Sequence, residues 1–390
     1  MNGMINGPVY LDYQAHTPVD PRVLEALIAA FRRADSNPHS QHVHGAAARH
    51  AVEDARVLVA ELISARPSEI VFTSGATESN NLALGGVCEH LRALGRTRIL
   101  VSEGEHASVL SAASRCERNG FTVGRIPLLA NGQIDLEAFS IMLDDSVGLV
   151  SCMAANHELG VIYPLEVIAA LCRQAGSLLH SDLSQAAGTV RLSVECLDLA
   201  SLSSHKLYGP TGIGALFVRR ILRPKLQAQI VGGGQEAGAR AGTVPAALCV
   251  AFGKACLLAR QEIDTDAARI RSLRDKLLAR LLEVPGARLN GAMTPRLPGN
   301  INIAFDGVDA EALLIAVKDS ISISSGSACT SARLEPSHVL LATGLSEPEA
   351  AQAVRIGLGR WTTDEDVEMA AETLVRAVSS LRNTLRRGDA

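Results

Sequence analysis

Four segments of this 390-residue chain set chemically useful side chains among small residues. In Ser203-Ser204-His205-Lys206-Leu207-Tyr208-Gly209-Pro210, a lysine follows an apolar run and precedes a Gly-Pro break. Apolar surroundings lower a lysine pKa, and the neutral amine can then form a Schiff base. His180-Ser181-Asp182-Leu183-Ser184-Gln185 ends another apolar run on an acid. A carboxylate there could hold a pyridine nitrogen protonated and make the ring an electron sink. The segment Phe72-Thr73-Ser74-Gly75-Ala76-Thr77-Glu78-Ser79-Asn80-Asn81 leaves a strand-like run and opens a helical one. Its small residues let backbone N–H groups converge on an anion such as a phosphate. Finally, Ser324-Ser325-Gly326-Ser327-Ala328-Cys329-Thr330-Ser331-Ala332 holds one cysteine in a mobile, reachable setting, as a thiolate nucleophile needs. Each segment also has a plainer reading: an exposed loop lysine, a turn aspartate, an ordinary strand-to-helix turn and a passive loop cysteine.

Other clusters carry less chemistry. The remaining cysteines, at positions 88, 116, 152, 172, 196, 249 and 256, sit in apolar or helical contexts and read as packed thiols. With no Cys-x-x-Cys pair, the eight cysteines form neither a zinc pattern nor a disulfide framework. Asn37-Pro38-His39-Ser40-Gln41-His42-Val43-His44-Gly45 offers three imidazoles, but their spacing suits no standard zinc motif. A surface or site-rim loop is expected there, and no metal.

The elements that must position these segments follow from periodicity. Between about residues 69 and 220, short apolar runs alternate with amphipathic stretches, as a parallel sheet with crossover helices requires. The expected strands are 69–73, 98–102, 148–153, 177–181, 199–203 and 214–218, and 165–175 is one of the intervening helices. After Gly253 the pattern changes to a long helix carrying Ile270, Leu273, Leu277 and Leu281 on one stripe. Strands at 288–290, 300–305 and 321–323 and a helix at 310–317 follow. A last helix opens near a capping box formed by Thr363 and Asp366 and runs to about residue 385. A domain boundary near residue 262 is expected, with no disordered linker.

With 47% hydrophobic and 20% charged residues, the chain can bury one large core and one smaller one. A net charge of −4 argues against a dedicated nucleic-acid domain. No apolar stretch has the length of a membrane span, and no secretory signal is visible, so a cytoplasmic protein is expected. The basic run from Arg219 to Lys225 is either a solvated strand end or a docking face for an acidic partner.

The order of these motifs, joined by Glu105-His106-Ala107-Ser108-Val109 and Asn156-His157-Glu158-Leu159-Gly160, closely resembles the cysteine desulfurases of the class V aminotransferase-like fold. The resemblance extends from Leu11-Asp12-Tyr13 to Gly359-Arg360-Trp361-Thr362-Thr363. It implies a fold-type I transferase dependent on pyridoxal 5'-phosphate, with a large, mainly parallel-sheet α/β domain and a smaller α+β C-terminal domain. The expected division is an N-terminal segment (1–20) packing with the small domain, a large domain (21–262) and a small domain (263–390) carrying the mobile cysteine loop at about 324–337. The length of that loop resembles the group I branch, to which bacterial iron-sulfur assembly and nitrogen-fixation desulfurases belong.

At matched positions the resemblance implies roles. Lys206 would carry the cofactor and move protons at the substrate Cα, Asp182 would pair with the pyridinium nitrogen, and Gln185 would bond the phenolic oxygen. His106 would stack on the ring and assist proton transfer, and Asn156 would contact cofactor and substrate. Phosphate contacts would come from the Gly75, Ala76 and Thr77 turn, from Ser203 and His205, and from Thr243 of a partner subunit in a homodimer. Arg355 would clamp the substrate carboxylate. Cys329 would take sulfur from L-cysteine as a persulfide, release L-alanine and pass the sulfur to an acceptor protein. That sulfur could serve iron-sulfur clusters, tRNA thiolation or DNA phosphorothioation.

The chain departs from the family pattern at His157, Leu183 and Ala107, where asparagine, alanine or threonine, and lysine are usual. Alternatives consistent with the same residues are a selenocysteine lyase or another enzyme of this fold, and a scaffold subunit of a sulfur-modification system without turnover.

Overall fold

The computed structural model describes residues 7–33, 36–325 and 336–388, with side chains to 384. Cys329 lies outside the described residues. The strands in chain order are β1 (Val9–Tyr10), β2 (Ile70–Thr73), β3 (Arg98–Ser102), β4 (Thr122–Ile126), β5 (Val147–Ser151), β6 (Leu178–Asp182), β7 (Leu199–Ser203), β8 (Gly214–Val218), β9 (Ala287–Leu289), β10 (Asn300–Phe305), β11 (Ile321–Ser322), β12 (Ser324–Ser325) and β13 (Ala353–Gly357). The helices are α1 (Pro21–Arg33), α2 (Val43–Leu62), α3 (Ala76–Gly86), α4 (Cys88–Ala93), α5 (Ala107–Arg118), α6 (Leu136–Met142), α7 (Leu165–Ala175), α8 (Ala246–Leu282), α9 (Ala310–Val317), α10 (His338–Ala342), α11 (Glu347–Ala350) and α12 (Asp364–Gly388).

Among the described residues, seven strands form the main sheet in the order β2-β8-β7-β6-β5-β3-β4. All pairs are parallel except those made by β8, which runs antiparallel to both β2 and β7. Alternation along the strands sends side chains to opposite faces. Ile70, Phe72, Leu100, Val150, Ala215 and Phe217 join one apolar cluster. Val71, Ile99, Val101, Leu149, Leu216 and Val218 join another on the opposite face. Such double-sided burial explains why the strands read as continuous apolar runs. Edge strand β4 was not expected from the sequence; its run Thr-Val-Gly-Arg-Ile is only partly buried and carries a charge.

A second sheet, β12-β13-β10-β9, is antiparallel. Its apolar cluster takes Ile301, Ile303 and Phe305 of β10, Val354 and Ile356 of β13, and Leu374 and Val378 of α12. The expected capping box opens α12: Thr363 N donates to Asp366 Oδ2 at 2.9 Å and Asp366 N to Thr363 Oγ1 at 3.1 Å.

Helix α8 runs unbroken through residue 262. Its first half, through Cys249, Phe252 and Leu258, packs on the main sheet. From Ile270 to Leu281 it packs on the second sheet. At the other end of the chain, β1 pairs in parallel with β11, and Leu11 is buried in the second sheet's cluster. A half-buried ion cluster joins these parts: Arg360 reaches Asp20 at 2.9 Å, Asp266 at 2.8 Å and Glu262 at 3.3 Å, with its guanidinium 4.4 Å above the Tyr208 ring.

Candidate active site

Loops leaving β2, β3, β5, β6 and β7 emerge on one edge of the main sheet, the edge where their carboxyl ends lie, and open sheets bind ligands there. A cavity of about 480 Å³ occupies this edge. It gathers residues from far apart in the chain: Gly75, Ala76 and Thr77 after β2, His106 after β3, Asp182 at the end of β6, Gln185 beyond it, Ser203 at the end of β7, then His205 and Lys206, and Arg355 of β13.

Lys206 Nζ donates to the main-chain carbonyls of Gln14 at 2.5 Å and Ala15 at 2.8 Å, so the N-terminal segment meets the lysine directly. Asp182 is buried at 6% exposure. Burial works to raise its pKa, but hydrogen bonds from Ser184 N at 2.9 Å and Asn80 Nδ2 at 2.8 Å outweigh it and hold the carboxyl below its ordinary value. An ionised carboxylate therefore faces the cavity.

Gly75 caps α3 without a side-chain bond, at φ +153°, a conformation L side chains rarely adopt. Beside it, Ser203 Oγ and His205 Nδ1 are 2.9 Å apart. Burial, then the charge of Lys206, lowers the His205 pKa to about 4, so its ring is neutral. It stacks on His16 with centroids 5.6 Å apart. His106 caps α5: Ser108 N donates to His106 Nδ1 at 3.1 Å, which fixes the proton on Nε2.

On the outer side, Arg355 is 3% exposed. Its Nη2 donates to Asp12 Oδ1 at 3.0 Å and its Nη1 to the His157 carbonyl at 3.1 Å. Asp12 Oδ2 in turn accepts from Ser324 Oγ at 2.6 Å. His157 lines the cavity with its ring 5.4 Å from that of His106. Burial, then the charge of Arg355, lowers the His157 pKa to about 3. The adjacent Glu158 is pushed up to about 7 by burial, against the hydrogen bond from Ser337 Oγ to its Oε2 at 2.5 Å.

Two expected residues lie off the lining. Asn156 is fully buried behind it: Nδ2 donates to the Gly104 carbonyl, and Oδ1 accepts from Glu158 N and Leu159 N. Thr243 is exposed, as a residue assigned to a partner's site would be in one chain. Asp12, the Gln14 and Ala15 carbonyls, Ser184 and Ser337 were missed as site residues. Of these, Asp12 and Ser184 stood within matched motifs, and Ser337 at the end of the cysteine loop.

The histidine loop at 37–45 serves structure, since His42 caps α2 by accepting from Gly45 N at 3.2 Å. Of the basic run, Arg219 is spent on the Leu197 carbonyl and Asp198, and Arg223 Nη2 reaches the Glu236 carbonyl. Arg220 and Lys225 face solvent.

Four lining residues keep a buried polar atom without a partner among the described residues: Gln14 Oε1, His157 Nδ1, Ser184 Oγ and Arg355 Nε. With a fixed carboxylate, a glycine-capped helix start and a lysine, this donor set fits a phosphorylated pyridine bearing an aldehyde, together with a substrate carboxylate.

Comparison with known proteins agrees. The model of the aminotransferase class-V family matches residues 9–369. A protein named cysteine desulfurase IscS from Rickettsia bellii is 44% identical over 390 residues, covering 98% of this chain and 95% of that protein. A solved structure titled NifS-like protein superposes with a TM-score of 0.89 at 33% identity, covering 95% of this chain and 99% of that one. Another, titled SspA in complex with cysteine, gives a TM-score of 0.79 at 32% identity, covering 91% and 100%. The chain belongs to the cysteine desulfurases of the aminotransferase class-V family. Its fold is the expected fold-type I architecture.

Proposed function

We propose that this chain is a cysteine desulfurase that uses pyridoxal 5'-phosphate to take sulfur from L-cysteine, releasing L-alanine and leaving a persulfide on Cys329. The observation that carries the reading is the convergence of Lys206, ionised Asp182, His106 and Arg355 on one cavity at the carboxyl edge of the sheet.

When bound, the cofactor supplies an electron sink for the bonds at the substrate Cα. Lys206 would hold it covalently and later move the Cα proton. Asp182 would keep the ring nitrogen protonated, with Asn80 and Ser184 N fixing the carboxylate. Gln185 would bond the phenolic oxygen, and His106, with Nε2 protonated, would stack and deliver a proton. Gly75, Ala76, Thr77, Ser203 and His205 would bind the phosphate, and Thr243 of a second copy would complete it in a homodimer. Arg355 would bind the substrate carboxylate through its unpartnered Nε. Asn156 acts from behind the lining by fixing the turn that carries His157.

Cys329 thiolate attacks the substrate sulfur as the carbon–sulfur bond breaks, so the thiol becomes a persulfide and the carbon fragment leaves protonated as alanine. An acceptor protein then takes the outer sulfur. The switch of packing partners along α8 supports two units divided near residue 262, with Val9 and Leu11 packed in the second and Val19 against the first. Among the described residues, no helix is long and apolar enough to cross a membrane, and a cytoplasmic setting suits the free thiols.

The test is purified protein supplied with pyridoxal phosphate and L-cysteine. Alanine release and persulfide on Cys329 are expected. Cys329→Ala should bind the cofactor yet lose catalytic turnover, and Lys206→Ala should lose reducible labelling of its peptide by borohydride. Undiminished alanine release by Cys329→Ala would remove the persulfide step.

A further inference from the structure

We propose that Cys88 and Cys116 are a redox-active dithiol, a site of reversible disulfide formation by peroxides. The two sulfurs lie 3.5 Å apart, Cys88 at the start of α4 and Cys116 in the last turn of α5. A disulfide needs about 2.05 Å, so the approach required is about 1.5 Å, within reach of side-chain rotation. Both residues are buried, Cys88 at 8% exposure and Cys116 at 2%, so Cys88 lies nearer the surface of the two.

The charges of Arg92 and Arg115 bear on both thiols, and Cys88 is the one lowered. Its thiol is drawn below the ordinary value by the hydrogen bond with Cys116, against burial and with help from the charges of Arg92 and Arg115. The same bond, then burial, pushes Cys116 up. For Cys152, Cys172, Cys196, Cys249 and Cys256, burial comes first and all are pushed up. A thiol lowered below its ordinary value and in contact with a second thiol is the arrangement of an attacking and a resolving cysteine.

The chemistry balances with a hydroperoxide as oxidant. Cys88 thiolate attacks the peroxide oxygen, the O–O bond breaks, and Cys88 becomes a sulfenic acid while the leaving oxygen departs as water or alcohol. Cys116 then attacks the Cys88 sulfur and expels a second water. The peroxide gains two electrons and the sulfur pair loses them.

The location gives this a structural meaning. Helices α3 and α5 both begin at the cavity, with Gly75 and His106 as their caps. The dithiol ties α4, which follows α3 after one residue, to the far end of α5. Oxidation would therefore lock together the two helices whose starts line the site.

The experiment treats the reduced full chain with hydrogen peroxide, blocks remaining thiols with iodoacetamide, digests it and maps the peptides by mass. The expected result is a peptide pair joined through Cys88 and Cys116, lighter by two hydrogens and released by dithiothreitol. In Cys116→Ala, dimedone should trap a sulfenic acid on Cys88. If both thiols stay alkylatable while Cys329 oxidises, or if Cys88 joins a different cysteine, the proposal falls. The wild-type map decides this even where the variant does not fold.

Discussion

The floor of the cavity and its outer wall hold their charged groups in opposite ways. On the floor, Asp182 is ionised because two donors fix it, and Gly75, Ala76, Thr77, Ser203 and His205 stand at or just beyond the ends of strands of one sheet. On the wall, Arg355 Nε and His157 Nδ1 have no partner among the described residues, and Glu158 has a pKa near neutrality. The Asp182 carboxylate is fixed before a ligand arrives, which suits electrostatic catalysis, because preorganised groups need no rearrangement during reaction. The wall carries unmet hydrogen bonds that a substrate carboxylate would satisfy. The contrast separates groups that set the rate from groups that set binding.

Replacing Asp182 with asparagine breaks the floor. The isosteric amide keeps a hydrogen bond but loses the charge opposite the ring nitrogen. We expect kcat for alanine formation to fall by on the order of 10³, within the span typical of proton-handling groups. KM should change little. Unchanged kcat would show that Asp182 is a structural carboxylate only.

The wall should respond in KM. Arg355→Lys removes the planar fork and should raise KM for cysteine by roughly 10- to 100-fold, the loss of a charged hydrogen bond. Asp12→Asn leaves Arg355 charged but loosens its aim, and a rise of about fivefold is expected. Steady-state kinetics with kcat and KM resolved would check both. A kcat loss with unchanged KM in either variant would erase the division between floor and wall.

The same division governs what the sequence made legible. Each floor group ends or closely follows a buried strand and sits in a contiguous motif, so Gly75, Asp182 and Lys206 could be placed by apolar runs and their breaks. Strand β4 escaped because its partly buried, charged run lacks that signal. The wall depends on partners that no local pattern joins: Arg355 meets Asp12 across 343 positions, and Ser337 meets Glu158 across 179. His157 was visible as a departure from the family pattern, but its neutral state depends on burial and on Arg355. Neither is a property of its neighbours in sequence.

Glu158 gives the finest probe of the wall. Its folded pKa of about 7 lies above the ordinary 4.5, so the folded chain binds a proton more tightly than the unfolded one. This contribution is fully present below about pH 4.5 and is lost as pH rises through 7. In that window the stability of the wild type should acquire a downward slope with rising pH of up to about 1.4 kcal/mol per unit from this group. Glu158→Gln retains an acceptor for Ser337 but cannot titrate. Glu105, raised to about 8, acts on both proteins alike, and His157, whose Nε2 is 3.5 Å from Glu158 Oε1, is neutral across this window because its pKa is lowered to about 3. The difference in unfolding free energy between wild type and variant, from urea titrations at several pH values, should therefore fall steadily from pH 5 to 7. Parallel curves would mean that Glu158 is ionised throughout. The wall would then be as fixed as the floor.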